Sequence, residues 1–346
     1  MSTTRPGDPG GMMETVLLLP DQFEIGAAWA LDFGSEHRGE VDRVLICGMG
    51  GSAFPGDLVA VHAQSVGLEV RIHRDYDLSR CVLGTRTLVI ASSYSGETEE
   101  TLSAYEDARR RGLRVVALGS GGELQRRALE HGVPFVRLQK PSAHFQPRAA
   151  MGYFFGALLR VLQNAGLLTD VDPLLTHIAG ALRRDTTAAV TAAALRDALR
   201  DRIPVIYAPH PFAETAARIA KIKLNENAKM PAFYAALPEL NHNELVGFTS
   251  LTGPFSAVLL RPCRQEPAML RRFEVTAETL VDVGVPVTIV NLLDDLDIVA
   301  IFGVLHAFDI ASVELAIDAG IDPTPVALVE DFKRRLSARL AARVAV

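Results

Sequence analysis

Cysteine is scarce in this chain: there are three in 346 residues, Cys47, Cys81 and Cys263, far apart and with no C-x-x-C pair. That pattern indicates neither a disulfide framework nor a zinc site, and Cys47 reads as a small core residue. An excess of positive charge is also missing. With 35 Lys and Arg against 41 Asp and Glu the formal net charge is −6. A nucleic-acid backbone requires a concentrated basic surface, so nucleic acid is not expected as a partner, and the basic runs at 109–114 and 333–343 read as solvated helix faces. Long apolar runs are absent too. The longest, 298–308, is broken by His306 and falls short of the roughly 18 residues of a membrane span, so no membrane partner is expected and the run reads as a buried helix or a subunit contact. The opening residues carry Gly and Pro but no apolar core of a signal peptide; a flexible tail over 1–20 and cytoplasmic residence are the expectations.

What is present is the balance of an ordinary globular protein, 49 % hydrophobic and 22 % charged, at a length that suits two domains. Apolar runs short enough to be covered strands lie near 42–47, 68–73, 87–92, 114–118 and 134–138. They alternate with helical periodicity near 55–65, 97–111 and 122–131, and a long helix follows from about 147 to 165. The second half repeats the plan, with strands near 204–208, 232–236, 256–261 and 286–291 and helices near 212–229 and 266–283. The expected fold is therefore α/β, with two doubly wound parallel sheets in three αβα layers related by duplication. The domains are placed at 21–165 and 191–346, joined by a helical connection over 166–190. Asp322-Pro323-Thr324-Pro325 reads as punctuation before a last helix.

Two polar turns follow buried strands in the first sheet: Cys-Gly-Met-Gly-Gly-Ser at 47–52 and Ser-Ser-Tyr-Ser-Gly-Glu-Thr at 92–98. Each leads into a helix, which puts both on one sheet edge. There, unpaired helix N–H groups and hydroxyls can hold a phosphate dianion without Lys or Arg. Ser93, Ser95 and Thr98 supply three hydroxyls, more than an ordinary N-cap at Ser95 needs. The first turn also fits a dinucleotide pattern through Gly48, Gly50 and Ala53, with Asp75 near the next strand end for a ribose. The hydroxyl-rich second turn favours a phosphomonoester over a dinucleotide.

Further along, Asn225-Glu226-Asn227 ends a helix and Asn241-His242-Asn243-Glu244 follows, with His242 sixteen residues beyond Glu226. A carboxylate and an imidazole flanked by amides suit proton transfer next to a carbonyl, with one base and one group that gives and takes a proton at oxygen. That chemistry calls for no metal and no cofactor.

Taken together, GMGGS, SSYSG-x-T, QPRAA, NENAK-x-PA, PEL-NHNE and DPTP resemble the bifunctional phosphoglucose/phosphomannose isomerases, members of the sugar isomerase (SIS) domain group, over about residues 40–335. The resemblance implies two SIS domains in a homodimer that interconverts glucose 6-phosphate or mannose 6-phosphate with fructose 6-phosphate through a cis-enediol. It implies phosphate on the Gly51 and Ser52 amides with Ser93, Ser95 and Thr98. Glu226 moves the proton between C1 and C2, His242 of the neighbouring subunit helps open the ring, and Arg148 of QPRAA stabilises the enediolate. One departure stands out. The family's final helix usually presents a lysine to the sugar, and counting back from DPTP puts Glu314 there, with His306 two turns upstream as a substitute proton donor. That reversal of charge raises a rival reading, a regulator that binds sugar phosphates without turning them over; a nucleotide-dependent oxidoreductase on Gly48, Gly50 and Ala53 is the other.

Overall fold

The computed structural model describes residues 5–344 apart from 82, 143–144, 251–252 and 293–296. Two short helices open the chain, α1 (Met12–Leu17) and α2 (Leu19–Ala28). The first sheet then alternates with its helices: β1 (Arg43–Cys47), α3 (Phe54–Ser65), β2 (Val70–His73), β3 (Thr87–Ser92), α4 (Glu99–Arg110), β4 (Arg114–Gly119), α5 (Gly122–Glu130) and β5 (Phe135–Arg137). Three connecting helices follow, α6 (Met151–Asn164), α7 (Asp172–Arg184) and α8 (Ala188–Leu199). The second sheet is built from β6 (Ile203–Pro209), α9 (Phe212–Lys223), β7 (Phe233–Leu237), β8 (Phe255–Pro262), α10 (Pro267–Asp282) and β9 (Val287–Leu292), and the chain closes with α11 (Asp297–Asp318) and α12 (Ala327–Val344).

Both sheets are wholly parallel, ordered β2-β1-β3-β4-β5 and β7-β6-β8-β9. The second order repeats the first four positions of the first, as duplication of a doubly wound unit requires. Strands buried on both faces read as unbroken apolar runs, and β3 is buried at every position. This is why the strands stand out so readily in the sequence.

One apolar core runs from Met12 to Leu315 and joins the two sheets through α2, α6 and α11. Among the described residues α11 alone has the length and apolarity to cross a bilayer, but 83 % of its apolar window is buried within the chain. It packs against α1, α3, α7, α8 and α9, which explains a helix apolar all round.

The opening segment departs from the expected tail. Asp8 is 1 % exposed, and its carboxylate accepts the N–H groups of Met12 and Met13 at 2.8 Å each. Met12, Met13 and Val16 enter the core. Gly10 lies so close to the DPTP turn that a Cβ would stand 2.2 Å from Thr324 Oγ1. Small residues here serve close packing, so the composition that suggested fraying has the opposite effect over residues 5–17.

Candidate active site

β1 and β3 lie side by side, in register from Arg43 opposite Thr87 to Cys47 opposite Ala91. After β1 the chain crosses to β2 on one side, and after β3 to β4 on the other, so a crevice opens between the turns that follow them. The two turns are fastened together. Ser92 Oγ donates to the Ser52 carbonyl at 2.8 Å, and the Tyr94 N–H donates to Ser52 Oγ at 2.9 Å. A Cβ at Gly48 would stand 2.8 Å from the Ser92 carbonyl, so that glycine is needed for the interlock itself.

This fastening reassigns two of the expected phosphate contacts. The Ser52 N–H is spent on the Met49 carbonyl at 3.0 Å. Ser93 is fully buried; its Oγ accepts the Gly96 N–H at 3.1 Å and shares a hydrogen bond with Thr98 Oγ1 at 2.9 Å. Ser52 and Ser93 therefore shape the turns from beneath. Ser95 is exposed, accepts the Glu97 N–H at 3.2 Å and keeps its own hydroxyl proton to donate. Thr98 stands at the N-cap of α4 but makes no cap bond with its side chain, which leaves the first turn of that helix open to an anion.

Gly51 brings this cradle against Arg148: a Cβ on Gly51 would lie 2.8 Å from the Arg148 nitrogen and 3.1 Å from its Cα. Arg148 is 2 % exposed and nearly saturated. Its Nε donates to Asn227 Oδ1 at 2.6 Å, Nη2 to the carbonyls of Pro323 and Thr324 at 2.8 and 2.9 Å, and Nη1 to Gln146 Oε1 at 3.3 Å. A guanidinium has five N–H groups, so among the described residues one remains, on Nη1. That nitrogen faces Glu226, whose Oε2 is 3.7 Å away. Burial pushes the guanidinium below the ordinary arginine range, while Glu226, Asp309 and Asp322 pull it back up.

Two groups fix this geometry from behind. Asn227 Nδ2 donates to Ser312 Oγ on α11 at 3.0 Å, which holds the amide with its oxygen toward Arg148. Lys223, 0 % exposed, donates to the Arg148 carbonyl at 2.7 Å and pairs with Asp309 at 2.8 Å. Asn227 thus orients the arginine. The DPTP segment is also more than punctuation. α12 starts only at Ala327, the Thr324 N–H closes a turn onto Asp322 Oδ1 at 2.9 Å, and the two freed carbonyls hold Arg148.

Glu226 sits in a single π-helical turn, Leu224–Ala228, that continues α9, and its side chain is 32 % exposed. Such turns insert an extra residue into a helix and recur at functional sites. Lys229 ends the turn in a left-handed conformation, φ 58°. Its ammonium donates to the Glu226 carbonyl and to the Pro323 carbonyl. The NENAK motif contains this lysine, but nothing in the motif itself marks a role for it.

His242 is not gathered in. Glu226 lies before β7, separated from it by 227–232, while His242 follows the far end of that strand. The strand between them, four steps of about 3.3 Å, spans roughly 13 Å. His242 is exposed, and its neighbours anchor the turn: Asn241 Nδ2 donates to Thr276 Oγ1 at 2.8 Å and Asn243 Nδ2 to Glu239 Oε1 at 3.0 Å.

Glu314 does not take the place counted for it. On α11, Asp309 and Ser312 face Lys223 and Asn227, and Glu314, about 200° further round from Ser312 at 3.6 residues per turn, pairs with Arg196 of α8 at 3.5 Å. The final helix is α12, and the lysine it carries is Lys333. His306 is 6 % exposed with neither ring nitrogen partnered among the described residues, so its burial opposes a role in passing protons to a ligand.

Residues 188–336 match the family model described as the bacterial phospho-glucose isomerase C-terminal SIS domain. A bifunctional phosphoglucose/phosphomannose isomerase of Caldicellulosiruptor bescii is 34 % identical over 342 residues, 94 % of this chain and 99 % of that protein. The enzyme of the same name from Aquifex aeolicus is 30 % identical over 85 % of this chain and 90 % of its own. Among solved structures, a hypothetical protein of Thermus thermophilus shares the fold with TM-score 0.76 at 18 % identity, over 97 % of this chain and 92 % of that one.

Proposed function

This chain belongs to the bifunctional phosphoglucose/phosphomannose isomerases, and we propose that Glu226, Arg148 and the two interlocked turns carry its reaction. The chain is an aldose–ketose isomerase that interconverts glucose 6-phosphate and mannose 6-phosphate with fructose 6-phosphate. The single observation that supports the assignment of residues is the meeting of Arg148 and Glu226 directly beside Gly51 of the cradle.

In this reading the phosphate rests on the Gly51 amide, Ser95, Thr98 and the opening of α4. Glu226 removes the proton from C2 of the open-chain aldose and returns it at C1, and the reverse for the ketose. The remaining Nη1–H of Arg148 donates to the enediolate oxygen; held by four protein acceptors, it needs no reorganisation as charge develops. Because Glu226 and His242 lie at opposite ends of β7, His242 serves the site of a second copy, which makes the working unit a homodimer in which it assists ring opening. The domain division at 21–165 and 191–346, with 166–190 between, belongs to the same proposal.

The rival readings lose their footing on particular residues. Glu314, which favoured a regulator without turnover, is paired with Arg196. Gly48, the start of the dinucleotide pattern, is required by the approach of Ser92. The test is a coupled assay with glucose 6-phosphate and mannose 6-phosphate on the intact protein and on Glu226→Gln. Turnover of both sugars that collapses in the variant is expected; turnover that survives in the variant contradicts the assignment.

A further inference from the structure

Two cations share one oxygen at the edge of this site. The Pro323 carbonyl accepts Arg148 Nη2 at 2.8 Å and Lys229 Nζ at 2.9 Å. By hydrogen-bond geometry the two charged nitrogens are then roughly 5 Å apart. The charged groups around Lys229 are Arg148, Glu226 and Asp322. Burial pushes the ammonium down to about 8, Arg148 adds to the depression, and Glu226 and Asp322 oppose it.

Holding up the DPTP turn does not explain this arrangement. Arg148 alone already binds both of the turn's carbonyls, and a second, half-buried cation beside it is repelled. The lysine backbone is also held in the left-handed region, uncommon for a side chain of this kind. An ammonium has three donors, and two are spent on the carbonyls of Glu226 and Pro323. Among the described residues one N–H therefore remains, on a charge bound to the backbone carbonyl of the residue read as the base.

We propose that Lys229 is a second fixed cation of the site, sharing with Arg148 the stabilisation of the enediolate anion. The inference rests on the reading of Glu226 and Arg148 given above. It explains why like charges are gathered on one carbonyl oxygen beside the base. An anion that exists only during reaction relieves their repulsion, so the interaction is stronger in the transition state than in the bound sugar. It assigns no proton transfer to Lys229.

Two inhibitors separate charge stabilisation from mere support of the turn: 5-phosphoarabinonate, with a carboxylate where the enediolate forms, and arabinitol 5-phosphate, with a neutral hydroxymethyl group there. In Lys229→Gln, kcat should fall about 100-fold. The inhibition constant for the arabinonate should rise at least about 10-fold and that for the arabinitol by no more than about 2-fold, with Lys229→Arg restoring most of the difference. Equal weakening of both inhibitors, or of neither, overturns the proposal. The unaltered enzyme offers a readout free of folding effects, since the ratio of the two constants should rise as pH passes about 8; a ratio flat from pH 7 to 9.5 also overturns it. Glu226→Gln run alongside keeps the two readings distinct. If that variant retains full turnover, the site assignment itself has failed; if it is inactive while Lys229→Gln discriminates nothing, only the second cation has.

Discussion

Arg148 and Asn227 are joined by a 2.6 Å hydrogen bond from Nε to Oδ1, with both side chains buried. The pair ties the QPRAA segment after the first sheet to the residue next to Glu226 in the second. It therefore sets the distance between the fixed charge and the base. A site composed across two sheets depends on such ties, because neither sheet alone contains it.

Asn227→Asp places a carboxylate against the guanidinium and should cancel the charge offered to the enediolate. Turnover is expected to fall about 10- to 100-fold while KM changes little, since the sugar in its ground state carries no charge there. Asn227→Ala leaves Arg148 Nε unpaired in the interior, at a stability cost of about 1.5–3 kcal/mol. Steady-state kinetics and thermal melting of the two variants check both effects.

Within the cradle, buried and outward-facing hydroxyls should separate by phenotype. Ser95→Ala is expected to weaken inhibition by inorganic phosphate without lowering the melting temperature appreciably. Ser52→Ala strands the Tyr94 N–H and should cost about 1–3 kcal/mol of stability. Phosphate inhibition and melting curves measured on both proteins decide the matter.

Much of this was legible in the sequence, and for a physical reason. Strands covered on both faces are continuous apolar runs bounded by glycine-rich turns, so β1, β3 and the two turns after them stand out from the residue pattern alone. Which hydroxyls point outward was not legible, because Ser93 and Ser95 differ only in what the fold places over them. The position of Glu314 was missed for another reason: counting back from DPTP fixes the distance along the helix and leaves its face undetermined. Lys229 and the carbonyls of Pro323 and Thr324 escaped notice because their part depends on contacts with Arg148 that only tertiary structure supplies.

Glu314 should prove dispensable. Its partner Arg196 is a partly exposed neighbour, and pairs of that kind contribute about 1 kcal/mol at most. Glu314→Gln is expected to keep turnover within about 2-fold, the range of a surface change. A larger change in kcat in either direction would return that residue to the site.

His306 governs an acid-sensitive contribution to stability. Burial holds its imidazole below the ordinary value, opposed by Asp309 and Asp185 and reinforced by Lys223. The unfolded chain takes up this proton near pH 6.5, while the folded chain resists it until a lower pH. Stability should therefore be unaffected by this group above about 6.5 and decline as pH falls below it. His306→Leu removes that slope and, because neither ring nitrogen has a partner among the described residues, should leave the melting temperature at pH 7 unchanged or higher. Parallel losses for variant and parent between pH 7 and 5 would contradict this.

A mixture of Glu226→Gln and His242→Ala chains tests the shared site. If His242 acts in the neighbouring copy, mixed dimers regain one intact Glu226–His242 pair, and activity should return where each variant alone is poor. No recovery after subunit exchange would place the histidine's role within its own chain.

Whether Glu226 is the base acting beside the phosphate cradle is decided by NMR with glucose 6-phosphate deuterated at C2. The unaltered enzyme should move that deuterium to C1 or release it to water, while Glu226→Gln should slow both by at least about 100-fold and still bind inorganic phosphate as tightly. Deuterium lost at the parental rate in the variant would remove Glu226 from the chemistry.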